Sequence, residues 1–545
     1  MTNDSLMVMV AFVGYLIGVM ALGIWSHRLV KKGNFVKNYF VGGRQLGAWV
    51  LALSVAGTAI SGGSFTGFPS LIYTNGWVMA LWIASYMVVP LTAMALLGKR
   101  LNQVARVNGS VTVPDVFRDR FNSPTLGLVA TILIFVFLVF NMVSQFKSGG
   151  LVMRTALGLP KHNFEIPLLG GVIDQGYLIG LCIFAFTVIA YTTYGGFWAV
   201  TWTDVLEGIV KIVGVVTLAI LAIAAVKAIT LPSGETLTGL DAATESIRQQ
   251  DPALTQGPGP AMTDGPIAVP FLPVSMAFSF FLMWSLSSAG QPSNMVRLMS
   301  FKESKSLRKA MIVVCFYYAI TYSCLVVIFI CARAIYPTEF LKSHGGIPDS
   351  VMPEMARRLA PHPLVAGMLL ASPYAAVMSA VAAFLLMISS SLARDIYQRS
   401  INPQVSAKTM KIISYTVTTV VGVGVMILAL KPPDYLQYLI VFTGTGQSCS
   451  FLFPMVACLY WKRATKRGIL CGMLGGGLTV LSLYIFGWSM GGGSPIDKFS
   501  PYYLLGFDPL VWGLSLSLLL TYFVSRMTTL ETNQIAKYFP DVKTV

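Results

Sequence analysis

The chain has 545 residues, 55% of them hydrophobic and 11% charged, with a mean hydropathy of +0.70. A soluble domain carries about 25% charged residues, so this chain cannot dress a water-exposed surface, and it is too apolar to stay disordered. Its net charge of +16 would suggest nucleic acid in a soluble protein. Here the basic residues lie between apolar runs, where membrane topology accounts for them and no nucleic-acid partner is needed.

A hydrocarbon core about 30 Å thick is crossed by about 20 apolar residues of helix. About thirteen runs meet that length. They lie near 5–26, 46–72, 76–98, 125–147, 176–194, 203–229, 267–290, 309–336, 363–391, 410–430, 436–460, 469–488 and 508–526. The runs are too long for barrel strands and lack period-two alternation, so the expected fold class is all-α, a polytopic membrane protein. Asp4 precedes the first run and no Lys or Arg does, the opposite of a cleavable signal's basic start. The amino terminus is therefore expected outside.

Alternate loops carry the positive charge. Lys31, Lys32, Lys37 and Arg44 follow the first run, and Lys99, Arg100, Arg106, Arg118 and Arg120 follow the third. Arg297 to Lys309 follow the seventh, Arg394 to Lys411 the ninth, and Lys462 to Arg467 the eleventh. These loops are expected to be cytoplasmic, with the carboxyl tail and its Lys543. The intervening loop at 231–266 is acidic, with Glu235, Asp241, Glu245, Asp251 and Asp264. The lipid bilayer of a cell membrane is the first partner this pattern implies.

Two runs carry irregular sequence where lipid forbids irregular backbone unless it lines a cavity. The second contains Ser61-Gly62-Gly63-Ser64, Gly67 and Pro69; the seventh contains Ser285, Ser287, Ser288, Gly290, Gln291 and Pro292. They stand five spans apart and enter from opposite sides, the arrangement of an inverted repeat whose halves each open on a broken helix. Small residues for helix packing would explain either one alone; the pairing favours a binding site. Polar residues inside spans have two readings each. Asp204 and Glu207 are candidates for coupling or for a gate near the inner end. Lys147, beside Gln145, either meets a solute carboxylate or snorkels to the outer interface.

Seven cysteines all fall in apolar runs without CxxC spacing, and four histidines stand far apart. No HExxH or phosphate-binding loop is present. A metalloprotease, an ATP-driven pump and an organic cofactor therefore have no support, and no set of nucleophile, base and metal ligand suggests an enzyme.

Several motifs resemble the sodium:solute symporters over about residues 5–480. They are Tyr194-Gly195-Gly196-Phe197-Trp198 through Thr203-Asp204; Gly290-Gln291-Pro292 with Val296-Arg297-Leu298-Met299, where Ser293 replaces a frequent histidine; Met378-Ser379 with Ser390 and Asp395-Ile396-Tyr397; and Tyr460-Trp461-Lys462-Arg463 with Gly468. The sodium/pantothenate carriers are the nearest in likeness, through Gln145 with Gly149-Gly150, Pro348-Asp349 with Pro353, and Ala371-Ser372-Pro373-Tyr374.

The resemblance implies a leucine-transporter-like fold. Its parts would be a leading helix and basic cytoplasmic loop at 1–45, inverted repeats at 46–230 and 266–462, two additional transmembrane helices within 463–526, and a cytoplasmic tail at 527–545. It implies secondary active transport of a small organic solute, such as the monocarboxylate pantothenate, by alternating access. One Na+ would be held by the carbonyls of Gly57, Ile60 and Ala376 and the hydroxyl of Ser379. Ser61, Gly62, Ser64, Gln145, Lys147, Trp284 and Gln447 would face the solute. Ala380 removes a second hydroxyl from the sodium set, and Ala382 and Ala383 remove a second sodium site. Proton coupling through Asp204 or Glu207 therefore stands beside sodium coupling, and a transporter-like sensor is the remaining alternative. Oligomeric state is left open.

Overall fold

A computed structural model describes residues 3–30, 39, 44–160, 162–166, 171–261, 270–339, 347–431, 436–490, 499–530 and 535–539. Lys31, Lys32, Lys37, Asp264 and Lys543, used above to orient the chain, lie outside the described residues.

The chain is almost wholly helical. In order come α1 (Asn3–Val30), α2 (Ala48–Ala59), α3 (Phe68–Asn75), α4 (Leu81–Val89), α5 (Lys99–Asn108), α6 (Val113–Phe121), α7 (Pro124–Ala156) and α8 (Gln175–Ala225). Then come α9 (Gly239–Gln250), α10 (Val274–Gly290), α11 (Pro292–Leu298), α12 (Ser304–Ile335), α13 (Val351–Arg358), α14 (Pro363–Ser390), α15 (Ala407–Leu428), α16 (Leu436–Tyr460), α17 (Lys466–Ser489) and α18 (Pro509–Met527). Two short hairpins stand in loops: β1 (Asn163–Ile166) with β2 (Gly171–Asp174), and β3 (Ile229–Thr230) with β4 (Thr236–Leu237).

Ten helical stretches among the described residues are long and apolar enough to cross a membrane, and α2 and α10 are shorter apolar helices. α8 accounts for two of the expected spans. Its 51 residues would extend roughly 75 Å at 1.5 Å each, far beyond one bilayer. The break falls at Gly196, whose φ of 56° and ψ of −151° lie in a region essentially reserved for glycine. A Cβ there would also stand 2.4 Å from the Tyr39 ring. The thirteen runs thus map onto the long helices, the doubled α8, and the two interrupted helices.

α14 lies at the centre, packed against α8, α1 and α7, and every residue from Leu369 to Ser390 is buried. Large apolar faces of α1, α8, α15 and α18 remain exposed, including Ile17, Phe186, Val420 and Phe523, as lipid contact requires.

Both interruptions are present. The first helix stops at Ile60 (φ −87°, ψ 89°), turns through Ser61 and Gly62, and resumes as a π-helical turn at Gly63–Gly67 that leads into α3. The second stops at Gly290; Gln291 is extended (φ −79°, ψ 118°), and Pro292, which has no amide to orphan, starts α11.

Candidate functional site

Freed backbone at the first break is re-bonded by side chains. The Gly62 amide donates to Gln145 Oε1 at 2.8 Å, and the Gly63 amide to Ser61 Oγ at 3.2 Å. Only glycine permits the first contact, because a Cβ on Gly62 would stand 2.8 Å from Gln145 Oε1 and 2.9 Å from Val377. Ser64 Oγ meets Tyr322 Oη at 2.9 Å. Tyr322 stacks on Tyr86 (3.7 Å between centroids, 13°), and Tyr86 stacks on Trp284 (5.3 Å, 13°).

Five of the expected solute residues are therefore joined in one polar and aromatic train: Ser61, Gly62, Ser64, Gln145 and Trp284. Trp284 also meets Trp82 edge-on at 5.7 Å, and Trp82 lines a cavity of about 190 Å³ with Leu71, Phe271, Phe280, Gln437 and Asp508. The space around Gly444 is shared by Trp284, Ser287 and Gln291. Trp284 Nε1 and Ser287 Oγ have no hydrogen-bond partner among the described residues. Gln447 is buried three residues further along α16, with its amide nitrogen likewise unpartnered among the described residues.

Lys147 stands apart from that train. It is buried and donates to Asp349 Oδ2 at 3.0 Å, while the same oxygen accepts the Leu436 amide at 3.2 Å. The snorkelling reading fails, since the ammonium is enclosed. For Lys147 to hold a solute carboxylate, that carboxylate would have to compete with Asp349, a partner the sequence reading had placed only in a motif.

The four residues expected to hold sodium do lie together, and three of them meet the side chain of Lys211, which is not among the expected site residues. Lys211 Nζ donates to Ser379 Oγ at 2.7 Å, to the Gly57 carbonyl at 3.1 Å and to the Ile60 carbonyl at 3.4 Å. Ser379 Oγ in turn lies 2.7 Å from the Gly57 carbonyl and 3.1 Å from that of Ala376. The break at Ile60 frees the two α2 carbonyls, and Lys211 reaches them from α8 with its side chain fully buried. The signal was available. A lysine eight residues into an apolar span is costly, and Asp204, Glu207 and Lys211 recur at helical spacing on one face of α8.

Asp204 and Glu207 differ in their surroundings. Asp204 Oδ2 accepts Ser54 Oγ at 2.7 Å and pairs with Arg297 at 3.1 Å. Arg297 also donates to the Ser54 carbonyl and hydroxyl. This ion pair ties the first broken helix, α8 and the second broken helix together. Arg297 was counted above among loop cations. It is in fact buried on α11, because Pro292 restarts the helix and carries it inward. Glu207 is fully buried, and neither of its carboxyl oxygens has a hydrogen-bond partner among the described residues. No group of three or more metal-ligating His, Cys, Asp or Glu occurs among the described residues.

Comparison with known proteins places this arrangement. The model of the sodium:solute symporter family matches residues 39–476. The chain is 30% identical over 527 residues to the sodium/pantothenate symporter of Escherichia coli (strain K12), covering 94% of this chain and 95% of the relative. It is 28% identical over 526 residues to the sodium/proline symporter of Staphylococcus aureus (strain JH9), covering 94% and 91%. A solved structure of a Na+-coupled sialic acid symporter, substrate-bound and outward-open, matches with a TM-score of 0.70 at 18% identity, over 96% of this chain and 98% of that one. That likeness shows the fold, the leucine-transporter-like arrangement expected from the sequence. The family's members are transporters rather than enzymes. The chain belongs to the sodium:solute symporter family.

Proposed function

We propose that the protein is a secondary active transporter that carries a small organic solute by alternating access. The solute would lie between the two broken helices, against Ser61, Gly62, Ser64, Gln145, Trp284 and Gln447. The observation that carries this reading is that one broken segment bonds Gln145 through the Gly62 amide and, two residues on, meets the Tyr322–Tyr86–Trp284 stack through the Ser64 hydroxyl. It supports a solute site shared by the two broken helices. The inverted repeats at 46–230 and 266–462, and an amino terminus outside, complete the proposal; the paired breaks and the alternating basic loops support them.

A small carboxylate is the proposed solute class, supported by the pantothenate and proline symporters to which the chain is similar. Sodium in those relatives' names supports sodium as the driving ion. A second reading, a proton-coupled carrier of the same fold, is favoured by Glu207, whose oxygens have no hydrogen-bond partner among the described residues. The groups facing it are Asp204, Lys211 and Tyr191 on its own helix, Tyr15 on α1 and Tyr374 on α14.

The test begins with a thermal-shift screen of pantothenate, proline, short monocarboxylates and sugars. Uptake of any ligand found is then measured in proteoliposomes under inward sodium or proton gradients. Concentrative uptake of one solute supports the carrier reading. A stabilising solute that never accumulates under either gradient overturns it in favour of a sensor. Uptake that ignores sodium and follows pH removes sodium coupling.

A further inference from the structure

The oxygen cage at the first broken helix carries an inference of its own. We propose that the ammonium of Lys211 is the resident cation of this cage, standing where the family resemblance places sodium, so that no sodium ion binds there. The geometry rests on this chain alone. The consequence, that solute movement is not driven through a sodium ion at this position, rests on the carrier reading above.

Three observations support it. First, an ammonium has three donors, and each has an acceptor: Ser379 Oγ, the Gly57 carbonyl and the Ile60 carbonyl. These are three of the four oxygens a sodium ion would need, and the fourth, on Ala376, is engaged by the Ser379 hydroxyl. Second, the cage has few spare oxygens: Ala380 stands where the family resemblance would place another hydroxyl to help a small hard cation. A tethered ammonium needs fewer oxygens than a mobile sodium ion, which must be held by coordination alone.

Third, the charges already balance. The buried ionisable groups here are Asp204, Glu207 and Lys211 on α8 and Arg297 on α11. In their ordinary charge states they sum to zero. A sodium ion added to the cage would leave one uncompensated positive charge in a site closed to water, next to an ammonium. Lys211 thus performs the structural task of the ion: it holds the unwound end of α2 to α14 through Ser379, from a third helix.

The experiment uses the full-length protein in detergent, with sodium chloride compared against potassium chloride at constant ionic strength and thermal stability as readout. The wild type is expected to respond equally to both salts. Lys211→Ala empties the cage of its cation and leaves the four-residue cluster one positive charge short, so it is expected to gain stabilisation by sodium over potassium. Two results would overturn the proposal: a sodium-specific response of the wild type that Ser379→Ala abolishes, or a folded Lys211→Ala that stays indifferent to sodium. Should Lys211→Ala not fold, the wild type and Ser379→Ala decide alone. In proteoliposomes, with a solute identified as above, Ser379→Ala is expected to leave the ratio of initial rates in sodium and potassium as in the wild type. A sodium dependence of an order of magnitude that Ser379→Ala removes would sink the inference while leaving the carrier reading intact. Absence of uptake under every gradient would count against the carrier reading only, and the sodium-binding result would still judge Lys211.

Discussion

Removing the charge of Asp349 is a sharp test of how Lys147 is used. Asp349 sits on the turn Pro348–Ser350, buried, with one oxygen shared by the Lys147 ammonium at 3.0 Å and the Leu436 amide at 3.2 Å. Asp349→Asn keeps the shape, and its carbonyl can still accept the Leu436 amide. The ammonium is then left without its carboxylate. Breaking a buried pair from one side costs about 3–5 kcal/mol. At about 1.4 kcal/mol per factor of ten, local opening becomes roughly two to four powers of ten more frequent. Amide hydrogen exchange reads this directly where the pair anchors structure, in α13 and at the start of α16. Lys147→Met should cost a similar amount by leaving the carboxylate alone. The double variant Lys147→Met/Asp349→Asn, with no buried charge left, should recover to within about 1 kcal/mol of the wild type, since a buried pair is worth little net against neutral groups. Exchange protection of Asp349→Asn equal to wild type, or a double variant that merely sums the singles, would refute the structural reading. A rise in solute Kd for Lys147→Met with protection unchanged would instead return Lys147 to the solute.

Arg297→Met should leave Asp204 buried with Ser54 as its remaining hydrogen-bond donor, at a cost of about 3–5 kcal/mol. Since the pair ties the two broken helices together, a cysteine introduced at Ser390, beside Arg297 in a small internal space, should react faster with a maleimide; an unchanged rate would show that the pair does not hold that region shut. Gly196→Ala should cost about 1–3 kcal/mol for the backbone conformation alone, and more for the Tyr39 ring at 2.4 Å, so its yield of folded protein from the membrane should fall; normal yield and melting would refute the break at this position. Gln145→Leu should strand the buried Gly62 amide at a cost of about 1–3 kcal/mol and weaken binding of whichever solute the screen finds, read by calorimetry; unchanged affinity would remove the first break from the solute site.

Much of this architecture follows from patterns that survive without coordinates. Apolar run length reflects bilayer thickness, so the spans were legible, including the two that α8 joins: the glycine pair at Gly195 and Gly196 already marked its interior. The breaks were legible because Gly62, Gly63 and Pro292 answer a local backbone demand. Partners were not. Asp349 lies 202 residues from Lys147, and Arg297 lies 93 from Asp204; no spacing rule links them, and each looked like a loop or motif residue until packing brought the two ends together. The acidic loop helix α9 and the hairpins β1–β2 and β3–β4 were not legible, since they are short and apolar run length does not register them.

Lys211 shows why the two kinds of legibility should be weighed against each other. The family pattern assigned Gly57, Ile60, Ala376 and Ser379 their role, and the fold does bring them together around one point. A motif transfers ligands, however, and not the space between them. The residue that fills this space comes from a helix the sodium motif does not include. Its intrusion is consistent with the hydroxyl already lost at Ala380: once coordination is weakened, a covalently attached cation can hold the same oxygens without having to be captured from solution. The fold of the family and the chemistry of this cage are therefore separable properties. The first is set by where glycines and prolines break helices, and the second by a single lysine on α8.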